Sequence, residues 1–237
     1  MRLKYFISYG TNKFNHSKFR LKKQVEDINI FDEITVYDNT NISEEFKIKH
    51  DKVLSEQRGG GFWIWKYDII KNKLKDMKEG DFLVYLDAGC VINNNGRDRF
   101  LEYFKMLDES PYGIMSFQMR HKEYMWTTKQ IFDYLNVSYD SKIANSGQYL
   151  GGVLIMQKTP HLLNLLDEVY KILDDDDLLF TNFYNKHNQH PHFRDNRHDQ
   201  SISSVLRKIH GSLVLTDETL AHLPESSTWP IWAKRLK

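Results

Sequence analysis

Cysteine is almost absent from this chain: Cys90 stands alone among 237 residues. A lone cysteine has no partner within the chain, so a disulfide framework is excluded, and a chain of this length buries a core without one. A reducing, cytoplasmic setting is the expectation. Long apolar runs are missing as well. No stretch approaches the roughly 20 apolar residues that span a bilayer, which leaves only peripheral membrane contact. Residues 1–10 form a short apolar run broken by polar side chains, unlike a signal peptide. Charge of one sign is lacking too. With 33 basic and 32 acidic side chains the net charge is +1, and the basic residues are scattered, so no nucleic acid is expected as a partner. No repeat and no linker interrupts residues 1–237, which read as a single domain.

What is present is an alternation of strand and helix patterns. Residues 4–9 read as a strand, 18–28 as a helix, 33–38 as a β-branched strand and 43–54 as a helix capped at Ser43. Glycines 59–61 break the chain, 62–77 reads as a long helix, and 82–86 is a continuously apolar strand of the kind covered on both faces. Helices over 97–107, 127–135, 160–173 and 201–209 alternate with strands over 113–118, 149–157 and 212–215, before an irregular tail. This predicts an α/β fold with a mostly parallel sheet and helices on both faces.

Four segments carry candidate chemistry. The strand 82–86 ends in Asp87-Ala88-Gly89, a carboxylate with small neighbours, at the sheet edge where open α/β proteins bind ligands; a turn aspartate is the bland alternative. Arg58-Gly59-Gly60-Gly61-Phe62-Trp63-Ile64-Trp65-Lys66 brings three backbone amides and two cations to the start of a helix, where a phosphate is welcome, although its glycines match no Walker or dinucleotide spacing. Trp63 and Trp65 point apart on a helix, so one faces a ligand and the other the core. Gln148-Tyr149-Leu150-Gly151-Gly152 puts a glycine pair inside a strand, the sign of a bulge or of close approach by a ligand. Arg197-His198-Asp199-Gln200 precedes an apolar helix, which suits Asp199 as a cap or first-turn acid. His187, His190, His192 and His198 lack the compact spacing of a zinc site, and the acids 174–177 read as a solvated helix end.

Together these segments resemble the nucleotide-sugar glycosyltransferases of the GT-A fold. The resemblance runs from about Lys4 to Trp229, and the glycine-tryptophan segment followed by the Gly-Asp-apolar-Tyr-Leu-Asp-Ala-Gly strand is similar to glycosyltransferases of bacterial and viral glycan clusters. It implies transfer of a sugar from a nucleoside-diphosphate sugar to a glycan or glycoconjugate, hexosyl transfer being the nearest pattern. It places Asp87 in the Asp-x-Asp position that holds Mn2+ or Mg2+ on the donor diphosphate, with Gly89 where the second acid stands. On that resemblance Arg58, Gly60, Trp65, Lys66, Asp87, Ala88 and Gly89 meet the donor. Gln148, Gly151, Gly152 and His198 line the acceptor side, and Asp199 and Gln200 form the reaction centre. His222, ahead of Trp229-Pro230, completes the metal shell with Asp87.

Two rivals follow from the same residues. A nucleotidyltransferase needs a glycine-rich basic loop after the first strand, and Gly10-Thr11-Asn12-Lys13 has one glycine. A noncatalytic carbohydrate or nucleotide-sugar binder is consistent with the missing second acid, and turnover separates it from the enzyme.

Overall fold

The computed structural model describes residues 2–236. β1 (Lys4–Tyr9), α1 (Asn15–Ile28) and β2 (Glu33–Tyr37) form the first unit, followed by the short helices α2 (Glu44–Lys49) and α3 (Asp51–Leu54). The single turn α4 (Gly59–Phe62) leads into α5 (Trp65–Asp76) and then β3 (Phe82–Asp87), β4 (Val91–Ile92) and α6 (Arg97–Asp108). β5 (Ile114–Lys122), α7 (Lys129–Tyr134), α8 (Lys142–Asn145), β6 (Gly147–Tyr149), β7 (Val153–Gln157) and α9 (Pro160–Asp176) follow. α10 (Asp199–His210), β8 (Leu213–Thr216) and β9 (Ile231–Trp232) end the order.

The main sheet runs β2-β1-β3-β7-β5-β6, with β8 on the free edge of β5. β2, β1, β3, β5 and β8 point one way and β7 and β6 the other, because β3 pairs with β7 and β7 with β5 antiparallel. The expected mostly parallel α/β sheet is therefore present, with a reversed strand in its middle. Alternation along the strands sorts two cores. Ile7, Tyr9, Leu83, Tyr85, Leu154 and Met156 pack on one face with Ile69 and Leu74 of α5, Leu165 and Val169 of α9, and Ile202 and Leu206 of α10. Phe6, Phe82, Val84, Leu86, Val153 and Ile155 pack on the other with Leu21 and Val25 of α1 and Phe100 and Phe104 of α6. β3 is thus buried on both faces, which is why its sequence is apolar without alternation. Each of its large side chains contributes about 1.5–3 kcal/mol by leaving water.

Three expectations are corrected. The helix expected over 43–54 is two helices that break at His50, whose φ of −117° and ψ of 28° leave the helical region. The strand expected over 149–157 is split, since Leu150 to Gly152 leave the ladder between β6 and β7. The tail is not irregular throughout: β9 pairs with β4, Val91 opposite Trp232 and Ile92 opposite Ile231.

Candidate functional site

The site lies where β1 and β3 end, β7 begins and α10 starts. α4 is wound left-handed: Gly59, Gly60, Gly61, Phe62 and Trp63 have consecutive φ values of 62°, 59°, 94°, 52° and 63°. Three glycines make such a turn feasible, and the two aromatic residues carry strain of about 1–2 kcal/mol each. Gly61 and Phe62 are tied back by N–H bonds to the carbonyls of Glu56 (2.8 Å) and Arg58 (2.7 Å). The turn reorients the chain so that α5 starts with Trp65 and Lys66 pointing inward. The Trp65 ring stacks on Tyr9 at 3.6 Å between centroids and its Nε1 donates to the Gly59 carbonyl at 2.9 Å. Trp65, the expected donor platform, is the core member of the pair at 4% exposure, and Trp63 is the half-buried one.

Lys66 is also buried, at 2% exposure, and does not face solvent as a phosphate ligand. Its Nζ donates to Asp199 Oδ2 at 2.5 Å and to the Gly151 carbonyl at 3.1 Å, and lies 3.7 Å from Asp87 Oδ1. The ammonium thus joins the two acids that the sequence singled out. Burial works to lower the Lys66 pKa, but Asp199 and Asp87 outweigh it and the net shift is upward. Burial raises Asp199 to about 6; Lys66 opposes the rise and Asp87 adds to it. Two carboxylates share one ammonium, and the Asp199 proton is held accordingly. Asp87 has its side chain 42% exposed, accepts a hydrogen bond from the Tyr85 hydroxyl at 2.6 Å and fixes its backbone N–H on the Gly152 carbonyl at 2.9 Å.

The glycine pair owes its identity to this junction. A Cβ on Gly151 would lie 2.8 Å from Gln200 Cβ, and one on Gly152 would lie 2.6 Å from Asp87 Oδ2. The Gly151 N–H donates to Gln200 Oε1 at 2.9 Å, and Gln200 Nε2 donates to Gln148 Oε1 at 2.6 Å. Gln148 passes the chain on to the buried Glu123 at 2.8 Å, and Glu123 accepts from Ser204 and Lys208 at 2.5 Å each. Gln148 is 1% exposed and His198 is 2% exposed, so neither lines an open acceptor surface; both are corrected to supporting positions. His198, itself at a φ of 58°, stacks on Trp63 with centroids 5.5 Å apart. Burial, then Arg58, push it to about 3, which keeps it neutral.

Three arginines lie on the segments that lead into or out of these elements. Arg58 is exposed and paired with Asp195 at 2.8 Å; Arg197 lies on the Trp126 ring at 3.9 Å; Arg235 is on the segment after β9. A surface pocket of about 430 Å3 is lined by Tyr124, Met125, Pro191, His192, Phe193 and Arg194. Nothing in the residue pattern marks it, since its walls come from two segments distant in sequence, joined by the Arg194 N–H to the Met125 carbonyl, the Arg197 N–H to the Trp126 carbonyl and the Tyr124 ring against His190.

No protein-family model matches the chain, and no curated protein matches its sequence. Solved structures do match. A glycosyltransferase involved in the glycosylation of the major capsid of PBCV-1 superposes with a TM-score of 0.51 at 14% identity, over 97% of this chain and 92% of that one. Mouse xyloside xylosyltransferase 1, apo form, superposes with a TM-score of 0.50 at 12% identity, over 90% and 85%. The fold is that of the GT-A glycosyltransferases.

The donor set does not fit the divalent metal that the resemblance implied. Mg2+ and Mn2+ take about six oxygen ligands, usually anchored by carboxylates. Asp87 brings one carboxylate, already bonded to Tyr85 and facing the Lys66 ammonium. Gly89 brings none, and a Cβ there would lie 3.1 Å from the Lys234 carbonyl oxygen and 3.2 Å from Arg235 Cα. Ala88 is buried beside it. His222 is exposed, and no three His, Cys, Asp or Glu side chains among the described residues group to hold a metal. Trp229-Pro230 instead clasps the 93–96 turn: Asn93 Nδ2 donates to the Trp229 carbonyl at 3.0 Å, and a Cβ on Gly96 would meet Pro230 at 2.4 Å.

Proposed function

We propose that this protein is a nucleotide-sugar-dependent glycosyltransferase acting on a carbohydrate or glycoconjugate acceptor. The observation that carries the reading is the Asp87–Lys66–Asp199 junction at the carboxyl edge of β1 and β3. In an open α/β sheet this edge is the place for ligand chemistry. The half-exposed Asp87 meets the donor, and Gly60, whose added Cβ would touch only Trp65 Nε1 at 3.8 Å, lets the left-handed turn approach it. Asp199 is a positioning residue: nine-tenths buried, it holds Lys66 against Asp87. Gln200 holds the Gly151 backbone in the same way. The pocket of about 430 Å3, with aromatic and histidine walls, receives the acceptor. Aromatic faces beside polar tips suit a sugar ring.

In the reaction the bond from the anomeric carbon to the diphosphate breaks and its electrons leave with the diphosphate. The acceptor oxygen takes the vacated position, and its proton passes to the departing diphosphate or to water. Hexosyl transfer and a cytoplasmic setting belong to this proposal.

The test is nucleoside diphosphate release from a panel of nucleotide sugars offered with mono- and oligosaccharide acceptors. One donor turned over, with loss of at least about 100-fold in Asp87→Asn, agrees with misplacement of a reacting group. Donor binding with no release under any acceptor identifies a binder on the same fold, and full activity of Asp87→Asn removes the role given to Asp87.

A further inference from the structure

Position 89 is where an acid is missing, and the reason is visible in what replaces it. β9 pairs with β4 and carries residues 233–236 back across the end of β3. The Leu236 N–H donates to the Gly89 carbonyl at 3.2 Å, and the Ser17 hydroxyl donates to the Leu236 carbonyl at 3.2 Å. Three backbone atoms of residues 234–236 lie within 3.1–3.3 Å of where a Gly89 side chain would begin. An aspartate there would push the segment off. Glycine admits it, and the segment lays the Arg235 Cα 3.2 Å from where a Gly89 side chain would begin. Glycine at 89 thus leaves this edge without a second acid and gives room to the backbone that carries a guanidinium.

Two further guanidiniums come from the segments that lead into α10 and into the left-handed turn. Arg197 lies two residues before Asp199 and is held flat on Trp126. Arg58 lies at the entrance to the left-handed turn, steadied by Asp195, which Asn185 also bonds at 2.7 Å. Burial lowers the Arg197 pKa, and Arg235 and then Arg58 on either side of Asp195's opposing effect lower it further, as neighbouring like charges do. Three like charges set against Asp195, with the Asp87 charge already offset by Lys66, leave a net positive mouth that suits an anion. Lys66 is spent on Asp87 and Asp199 and adds no free charge.

We propose that the donor diphosphate is held without a divalent metal, by the guanidiniums of Arg58, Arg197 and Arg235, and that Gly89 is there to let the segment bearing Arg235 reach it. This rests on the glycosyltransferase reading and adds how its leaving group is bound. Guanidinium forks match phosphate oxygens in pairs, and their charge balances a diphosphate as a cation does.

The experiment is calorimetric titration of the intact protein with UDP, GDP, CDP and ADP, each in EDTA and in Mn2+, with the matching nucleosides as controls. The expected result is one diphosphate that binds with the same affinity in both buffers and at least about tenfold more tightly than its nucleoside, the step that one charge-assisted bond supplies. Arg235→Gln and Gly89→Asp weaken that diphosphate by about tenfold and leave the nucleoside unchanged; Arg235 is exposed, so its variant keeps the fold. Binding only with Mn2+, or an Arg235→Gln variant that binds as wild type, overturns the proposal while leaving the glycosyltransferase reading intact. No binding of any diphosphate in either buffer overturns both.

Discussion

At the scale of the residue, the site is a problem in sharing charge. Lys66, itself buried, faces the carboxylates of both Asp87 and Asp199, so its removal strands both. Lys66→Met is expected to lower stability by about 3–5 kcal/mol, as for a buried pair broken from one side, which is roughly 10 °C in Tm for a chain of this size. Lys66→Met with Asp199→Asn recovers part of the loss if the two residues are coupled; thermal unfolding of the single and double variants reads this directly. Asp199 gives a second expectation, because its pKa rises from 3.8 to about 6 on folding. Between those values the folded protein keeps a proton that the unfolded chain releases, so this residue's contribution to stability falls as pH rises through the window. Activity runs the other way: below about 6 the protonated Asp199 no longer holds Lys66 as an ion, and turnover declines. A pH–rate profile with its acid limb near 6, absent in Asp199→Asn, is the expected measurement. Gly152→Ala isolates geometry from charge, since its Cβ would lie 2.6 Å from Asp87 Oδ2; activity is expected to fall at least about 100-fold with little change in Tm.

At the scale of the element, the sequence spoke clearly where burial is uniform and faintly where backbone hand changes. β3 was legible because both faces are covered, and so was α9, whose apolar residues recur at helical spacing. The three glycines announced a break but not its hand. A left-handed turn that continues through Phe62 and Trp63 packs against Leu54, in the helix just before it, and against His198, which is distant in sequence. The same holds for the split between β6 and β7: the glycine pair marked the place, while Asp87 and Gln200, which force it, come from other elements. Asp87, Lys66 and Asp199 were each legible as candidates, but their convergence, the burial of Trp65, Gln148 and His198, and the arginine on the last segment needed the fold. Within the turn, φ alone does not rank the glycines. Gly60→Ala makes an ordinary contact with Trp65 Nε1 at 3.8 Å and costs about 1–2 kcal/mol for the left-handed backbone. Gly61→Ala has the same handicap and brings its Cβ within 2.6 Å of the Leu54 Cα, so α3 must move. Thermal unfolding is expected to show a drop of a few degrees for the first and a clearly larger one for the second.

At the scale of the whole molecule, the last described segment is drawn back to the edge where the first helix lies. α1, which follows β1, and the segment after β9 both close over Ala88 to Cys90. Arg20 of α1 donates to the Ala88 and Cys90 carbonyls at 3.0 Å and 2.8 Å, Ser17 holds Leu236, and Ile231 packs in the α1 and α6 core. Cys90 lies under this closure at 3% exposure, with its thiol pushed upward by burial and then by Asp87. As the chain's sole cysteine it reports on the closure without ambiguity. The thiolate is the reactive form, so a buried, neutral thiol reacts only when the edge opens. Native protein is expected to react slowly with a maleimide. Ile231→Asp, which puts a charge into that core and loosens β9 from β4, is expected to accelerate the reaction at least about tenfold while the far-ultraviolet circular dichroism holds, because the main sheet does not depend on this pair. A bound nucleoside diphosphate that engages Arg235 is expected to slow it, since a ligand that favours the closed form lowers the population of the open one. Equal rates in wild type and Ile231→Asp would mean that Cys90 opens through β3 rather than through the edge, and the closing role of the segment after β9 would be lost.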